Sequence, residues 1–321
     1  MLFKRILLLG FASLLLCVGA KAQTYPNRPV RIIVPFGPGG PADIFARLLG
    51  QKLSEQLKQP FVVENKPGAG AVIGTVEVAR AEPDGYTLLL MSNTHTANET
   101  LVSKKGYSLL KDLAPIAPIN AADLVIVVNP NVQAKNLSEF IALAKSKPKE
   151  LNYASSGVGT PYHLAAENFK AMSGTDLVHV PHRGSGEART SVIAGHVQMM
   201  IDSVTTMVPT VVGGQMRALA VTGKARSALL PDVPTAEEAG LKGYEATIWL
   251  GLMAPAATPR PIIDLLNSEV RKVQAQPEMK ELYAKQGTVA MEMSPDEFGD
   301  YIKADIAKWA KVIETARIKV D

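Results

Sequence analysis

The residues best suited to chemistry in this chain are suited to holding an anion. Pro35-Phe36-Gly37-Pro38-Gly39-Gly40-Pro41-Ala42-Asp43 lies between a β-branched run and a helical pattern. Gly39 and Gly40 allow close backbone approach and positive φ. Pro41 suits the first position of a helix, so the N–H groups of Ala42 and Asp43 point into the loop. Such an N-terminus favours an anion through its amides and macrodipole. A tight βα turn, with Asp43 as a first-turn acid, accounts for the same residues. A second loop, Tyr153-Ala154-Ser155-Ser156-Gly157-Val158-Gly159-Thr160-Pro161-Tyr162-His163, pairs an N-cap threonine with a first-turn proline. Its hydroxyls at Ser155, Ser156 and Thr160 can bind an anion or cap the turn.

The remaining polar candidates are more scattered. Asn65–Gly74 is a third Gly-rich turn and reads as a structural loop. Ser92–Asn98, with His95, follows a strand end, where polar groups would line a cleft. In Pro181–Gly186, Arg183 is the candidate to pair with a distal carboxylate; a solvated surface side chain is its other reading. Asp202, after the apolar run Val197–Ile201, would accept from a ligand amine or hydroxyl, or cap the next helix.

Catalytic constellations are missing. There is no G-x-S-x-G elbow, H-E-x-x-H pair or P-loop, and the five histidines show no ligand spacing. His163 and Glu167 share a helix face without a third ligand, so neither metal nor cofactor is expected. Gly37-x-Gly39-x-x-Ala42 does satisfy a relaxed dinucleotide fingerprint, with Glu64 about 20 residues on. Pro38 and Pro41 argue against it by removing two of the amides that would meet a pyrophosphate.

These loops need strands and helices to aim them. From Val30 onward, short apolar runs (Val30–Val34, Phe61–Val63, Tyr86–Leu90) alternate with helical periodicity such as Ile44, Phe45, Leu48, Leu49 and Leu53. The pattern restarts at Leu124–Val128 and continues through Leu151–Ala154, Leu177–Val180, Val197–Ile201 and Arg217–Val221. Ile248–Met253 and helices near Pro261–Gln274, Glu278–Gln286 and Pro295–Ala316 follow. Alternation of this kind predicts an α/β fold with mostly parallel sheets. We expect two lobes, residues 23–120 plus 224–321 and residues 121–223, with the chain crossing near Asn120–Asp123 and Thr222–Lys224. A ligand would sit in the interlobe cleft.

The chain has 321 residues, 47% hydrophobic and 20% charged, with one cysteine. That composition excludes disordered, collagen-like and disulfide-rich classes. Lys4, Arg5 and Lys21 lie in an acid-free leader, and without them the 34 basic residues nearly balance the 30 acidic ones. No nucleic-acid partner follows from the charge. Residues 1–22 read as a signal peptide: a basic start, an apolar run from Ile6 to Val18, and Ala20-Lys21-Ala22 before a cut between Ala22 and Gln23. Lipid anchoring at Cys17 is disfavoured by the large Leu16 before it. Cleavage would export a soluble protein without cysteine.

Several stretches together resemble the tripartite tricarboxylate transporter family of periplasmic solute receptors, the Bug receptors. They are Pro35–Asp43, Glu64-Asn65-Lys66-Pro67-Gly68-Ala69-Gly70, Pro83-Asp84-Gly85-Tyr86-Thr87-Leu88 and Tyr153–Gly157 with His163-Leu164-Ala165. Arg217–Thr222, Leu230–Thr235 and Trp249-Leu250-Gly251-Leu252 complete the match across the mature chain. The resemblance implies a two-lobed type II periplasmic-binding-protein-like fold that closes on a small carboxylic acid without chemistry. It implies delivery to the membrane subunits of a tripartite tricarboxylate-type transporter, or, alternatively, presentation of the liganded form to a membrane sensor kinase. It transfers ligand-binding roles to Phe36, Gly39, Gly40, Pro41 and Asp43, and to Ser155, Ser156, Gly157, Gly159 and Thr160. His95, Arg183 and Asp202 would set the distal end. Pro181-His182-Arg183-Gly184 and Glu187-Ala188-Arg189 depart from the family pattern, leaving the number of ligand carboxylates open, with Glu187 a candidate to repel a second one.

Overall fold

The computed structural model describes residues 25–315 and 318; the expected leader, its cut after Ala22 and Cys17 lie outside them. Val30–Val34 (β1) leads through Pro41–Leu57 (α1) to Phe61–Asn65 (β2), then through Val72–Ala79 (α2) to Thr87–Ser92 (β3) and Asn93–Leu101 (α3). After Leu109–Asp112 (α4) comes the long strand Leu113–Val128 (β4). The middle of the chain runs Leu137–Ser146 (α5), Asn152–Ser155 (β5), Pro161–Ser173 (α6), Val178–Pro181 (β6), Ser185–Ile193 (α7), Met199–Ser203 (β7), Val204–Val212 (α8) and Arg217–Val221 (β8). Thr247–Pro255 (β9), Arg260–Ala275 (α9), Pro277–Lys285 (α10), Thr288–Ala290 (β10) and Pro295–Thr315 (α11) complete it.

Local chemistry explains most of these elements. β1 is β-branched, and four of its five residues are buried. In α1, Phe45, Ala46, Leu49 and Leu53 recur at helical spacing and face the core. Pro41 opens that helix and Lys58 ends it in the left-handed region at φ 56.

The sheet follows the order β2-β1-β3-β9-β4-β7-β5-β6, with β8 and β10 also paired to β4. β1 is parallel to β2 and β3, and β5 is parallel to β6 and β7, as crossover helices require. Mostly parallel pairing, however, does not hold: five of the nine strand pairings among the described residues are antiparallel. The reason is that β4 and β9 return between the two parallel sets.

β4 is the strand both sets share. Its residues 113–123 pair with β9, and Leu124–Val128 pair with β7 and β8. Only Leu124–Val128 was legible as a strand, because Pro115 and Pro118 interrupt the earlier half, where the register shifts. Carbonyls exposed there are taken by α9: Asn267 Nδ2 donates to Ile116 O at 2.8 Å, and Gln274 Nε2 donates to Ile119 O at 2.7 Å. Buried carbonyls without such partners would be costly. The polar stretch after β3 forms the helix α3, which its sequence does not announce because it carries no apolar stripe. It packs against α11 through Thr96 Oγ1, which donates to the buried Asp305 carboxylate at 2.6 Å; Trp249 Nε1 donates to the same oxygen at 3.2 Å.

Gly251 of β9 makes room for Phe298 of α11, whose ring lies 2.3 Å from where a Cβ would stand. Phe298 is fully buried. Gly251→Ala should therefore overpack this contact and lower the free energy of unfolding by about 1–3 kcal/mol, read as a lower urea midpoint at unchanged slope.

Candidate functional site

Four helices aim their N-termini at one small cavity of about 20 Å³, room for roughly one water molecule. α1 contributes Gly40, Pro41 and Ala42; α3 contributes its N-cap Ser92; α6 contributes Pro161 and Tyr162; α7 contributes Gly184 and Ser185. The N-caps of α1 and α7 are Gly40 and Gly184, and neither helix has a side-chain cap bond. First-turn N–H groups normally need an acceptor from a cap, water or a ligand. The macrodipoles add partial positive charge at the same spot, and no carboxylate, histidine, lysine or arginine lines it.

A larger cavity of about 580 Å³ adjoins it, sharing Phe36 and Ser156. One wall is the Gly-rich loop at Pro67–Ala71, and the other is Ser156–Thr160. Arg183 and His182 also line it, and no carboxylate does. Backbones approach closely at two places around it. A Cβ on Gly37 would stand 3.0 Å from Arg183 O, and one on Gly70 would stand 2.7 Å from Val158 O.

Of the expected ligand-binding residues, Phe36, Gly40, Pro41 and Ser156 line the small cavity. Phe36, Ser156, Gly157, Gly159, Thr160 and Arg183 line the large one. Gly39, Asp43, His95, Ser155 and Asp202 line neither and brace the loops from behind. Gly39, at φ 78, donates its N–H to Asp43 Oδ2 at 3.1 Å. Arg47 Nε donates to the other Asp43 oxygen at 3.0 Å. Burial raises the Asp43 pKa, but the bonds from Arg47, Gly39 and Asn65 outweigh it and leave the carboxyl below its usual range. Ser155 Oγ accepts from Gly157 N–H at 3.1 Å.

Asp202 is fully buried at the end of β7. It accepts from Ser185 Oγ and from Ser203 N–H, the latter at 2.7 Å. Burial pushes its carboxyl up despite those bonds. Its link to the cavity runs through Ser185.

His95 completes a capping box. Its Nδ1 accepts from Ser92 N–H at 3.1 Å, so the proton sits on Nε2, which donates to Thr75 Oγ1 at 3.0 Å. Thr75 in turn donates to Ala71 O at 2.7 Å, at the cavity wall. Burial holds the His95 pKa down to about 4.

Other sequence readings meet competing partners. Glu64, the acid of the dinucleotide fingerprint, is held by two bonds from Arg31, at 2.7 and 2.8 Å. Glu167 takes Lys170 Nζ at 2.8 Å and the Tyr153 hydroxyl. Glu187, the candidate to repel a second carboxylate, accepts from Arg183 N–H at 3.0 Å, one residue before the N-cap of α7. Among the described residues, no group of three or more His, Cys, Asp or Glu could hold a metal ion.

Known proteins resemble this chain over most of its length. Residues 45–318 match the family described as tripartite tricarboxylate transporter family receptor. The chain belongs to that family. Protein BugT of Bordetella pertussis is 36% identical over 301 residues, 93% of this chain and 92% of BugT. Rpa4515 of Rhodopseudomonas palustris, solved with adipate, superposes with TM-score 0.89 at 33% identity over 92% of this chain and 99% of that one. MatC from the same organism, solved with bound malate, gives TM-score 0.86 at 32% identity over 90% of this chain and all of that one. Proteins of this family are periplasmic solute-binding receptors, not enzymes.

In this receptor the sequence reading missed Ser185, Tyr162, Ile248 and the Pro67–Ala71 loop as cavity lining. Glycine spacing was the one available signal for that loop. Ser185 sits two residues from Arg183 but carries no pattern of its own.

The neutral, buried His95 makes stability pH-dependent. The unfolded chain binds a proton near pH 6.5, the folded one only near pH 4, so the stability present above 6.5 is lost as pH falls toward 4. The wild type should lose up to about 1.4 kcal/mol per pH unit through this group. In His95→Asn, which keeps an acceptor at the Nδ1 position, the slope of urea-unfolding free energy between pH 6.5 and 4 should be shallower by that amount.

Proposed function

We propose that this chain is an exported periplasmic receptor that captures a small carboxylic acid between two lobes and delivers it to the membrane subunits of a tripartite tricarboxylate-type transporter. The lobes are residues 23–120 plus 224–321 and residues 121–223, after a cut between Ala22 and Gln23. The observation that carries the reading is the convergence of four helix N-termini, two of them capped only by glycine, on one cavity without a carboxylate. Uncapped first turns and aligned macrodipoles select a negative oxygen over a cation or a neutral sugar. The adjoining volume of about 580 Å³ accommodates the rest of the molecule, with Arg183 at its edge for a second anionic group. Adipate and malate in the two relatives fit the same chemistry.

Direct binding tests the reading. Residues 23–321 should unfold at a higher temperature with a dicarboxylate such as adipate or malate, and not with sugars or nicotinamide nucleotides. At 100 times its dissociation constant the ligand stabilises the folded state by about 2.7 kcal/mol. A shift with nucleotides alone would sink the carboxylate reading and revive the fingerprint at Gly37.

Closure is tested separately. Gly37 meets the backbone of Arg183 and Gly184 across the cleft. Gly37→Val should therefore keep the lobes apart, weakening calorimetric affinity at least about tenfold, which is a loss of about 1.4 kcal/mol. The unliganded unfolding temperature should hardly change.

A further inference from the structure

Behind the Ser156–Thr160 wall, three rings form a column that the ligand reading leaves unused. Tyr153 of β5 stacks on His179 of β6 with centroids 4.7 Å apart, and His179 stacks on His163 of α6 at 4.3 Å. Each imidazole holds the loop in front of it. His163 Nδ1 accepts from Gly159 N–H at 3.2 Å. His179 Nε2 lies 2.6 Å from Ser155 Oγ, which accepts from Gly157 N–H at 3.1 Å. Gly157 and Gly159 stand at φ 125 and 77, conformations that neither β5 nor α6 imposes. Thr160 Oγ1 closes the turn by donating to Gly157 O at 2.7 Å.

We infer that His163 and His179 are positioning residues: as a neutral stacked pair, they hold the backbone of Ser155–Thr160 in the shape that walls the larger cavity. The inference rests on that cavity being the ligand site. It assigns these two histidines no contact with the ligand.

The hold requires both rings unprotonated. A proton on His163 Nδ1 would face the Gly159 N–H, two donors against each other. Protonating both rings would set like charges in a stack 4.3 Å apart. The groups around the pair are Glu167 and Lys170 of α6, Tyr153 of β5 and His182 beyond β6. Glu167 favours a proton on His163, but its carboxylate is taken by Lys170 and the Tyr153 hydroxyl. Burial dominates and holds His163 down to about 4 and His179 to about 3, with His163, Lys170 and His182 adding to the effect on His179. The loop should therefore keep its shape at neutral pH and lose it in acid.

Two isosteric replacements separate holding from bulk. His163→Asn places an acceptor where Nδ1 stood, His179→Gln places one where Nε2 stood, and neither titrates. His163→Phe keeps the stack and removes the acceptor. The first readout is amide hydrogen exchange of Gly157 and Gly159 by NMR in the unliganded protein; the second is calorimetric affinity for adipate and malate. At pH 7, His163→Phe should speed Gly159 exchange and weaken binding, each by about tenfold, as loss of one buried hydrogen bond implies. His163→Asn should stay near wild type. As pH falls from 7 through 4 and on through 3, wild type should lose protection first at Gly159 and then at Gly157, while the Asn/Gln double variant keeps it. Unchanged Gly159 exchange in His163→Phe, or a double variant that follows the wild-type pH profile, would overturn the inference. If His163→Phe does not fold, the pH profiles of wild type and the double variant decide alone. If neither acid binds any variant, the carboxylate reading fails while the exchange measurements still judge the histidines.

Discussion

The first turns of α1 and α7 are buried against a cavity, and glycine caps give their backbone N–H groups no side-chain acceptor. A buried amide donor needs a partner, and the other features of the site follow from where that partner can stand. The parallel strands β1 and β3 on one side, and β5 on the other, end at the same place and feed helices whose N-termini turn back toward it. In an open α/β sheet the carboxyl ends of strands are where such termini gather. Here the sheet carries two such sets, joined through β9 and β4, so the termini meet from opposite sides.

The polar side chains of these loops divide by depth. Ser156, Thr160 and Arg183 reach a cavity. Asp43, His95, Ser155 and Asp202 sit one layer back, where they accept from the backbone or hydroxyl groups of the loop in front. Both layers use the same residue types, because a glycine-rich turn that faces a ligand also exposes amides on its other side. Those amides need acceptors as much as the ligand-facing ones do. His163 and His179 extend the same logic with rings in place of carboxylates.

Glycine has a second use across the cleft. Gly37 against Gly184, and Gly70 against Val158, bring two backbones within van der Waals range where a methyl group would not fit. Close approach of this kind keeps the small cavity to about 20 Å³, and a site so enclosed strengthens every electrostatic interaction inside it.

The sequence by itself determined the helices and the parallel strands whose apolar periods are unbroken, such as α1 and β1. It also located the two glycine-rich loops that line the cavities, since glycine, proline and an N-cap hydroxyl are local signals. Tertiary structure alone decided the first half of β4, whose prolines hide it and whose carbonyls depend on Asn267 and Gln274 more than 140 positions away. It decided that polar α3 is buried, because Asp305 reaches Thr96 from the far end of the chain. It also decided which polar residue faces the cavity and which braces it. That choice depends on which strand end each loop meets across the sheet, and no local pattern encodes it.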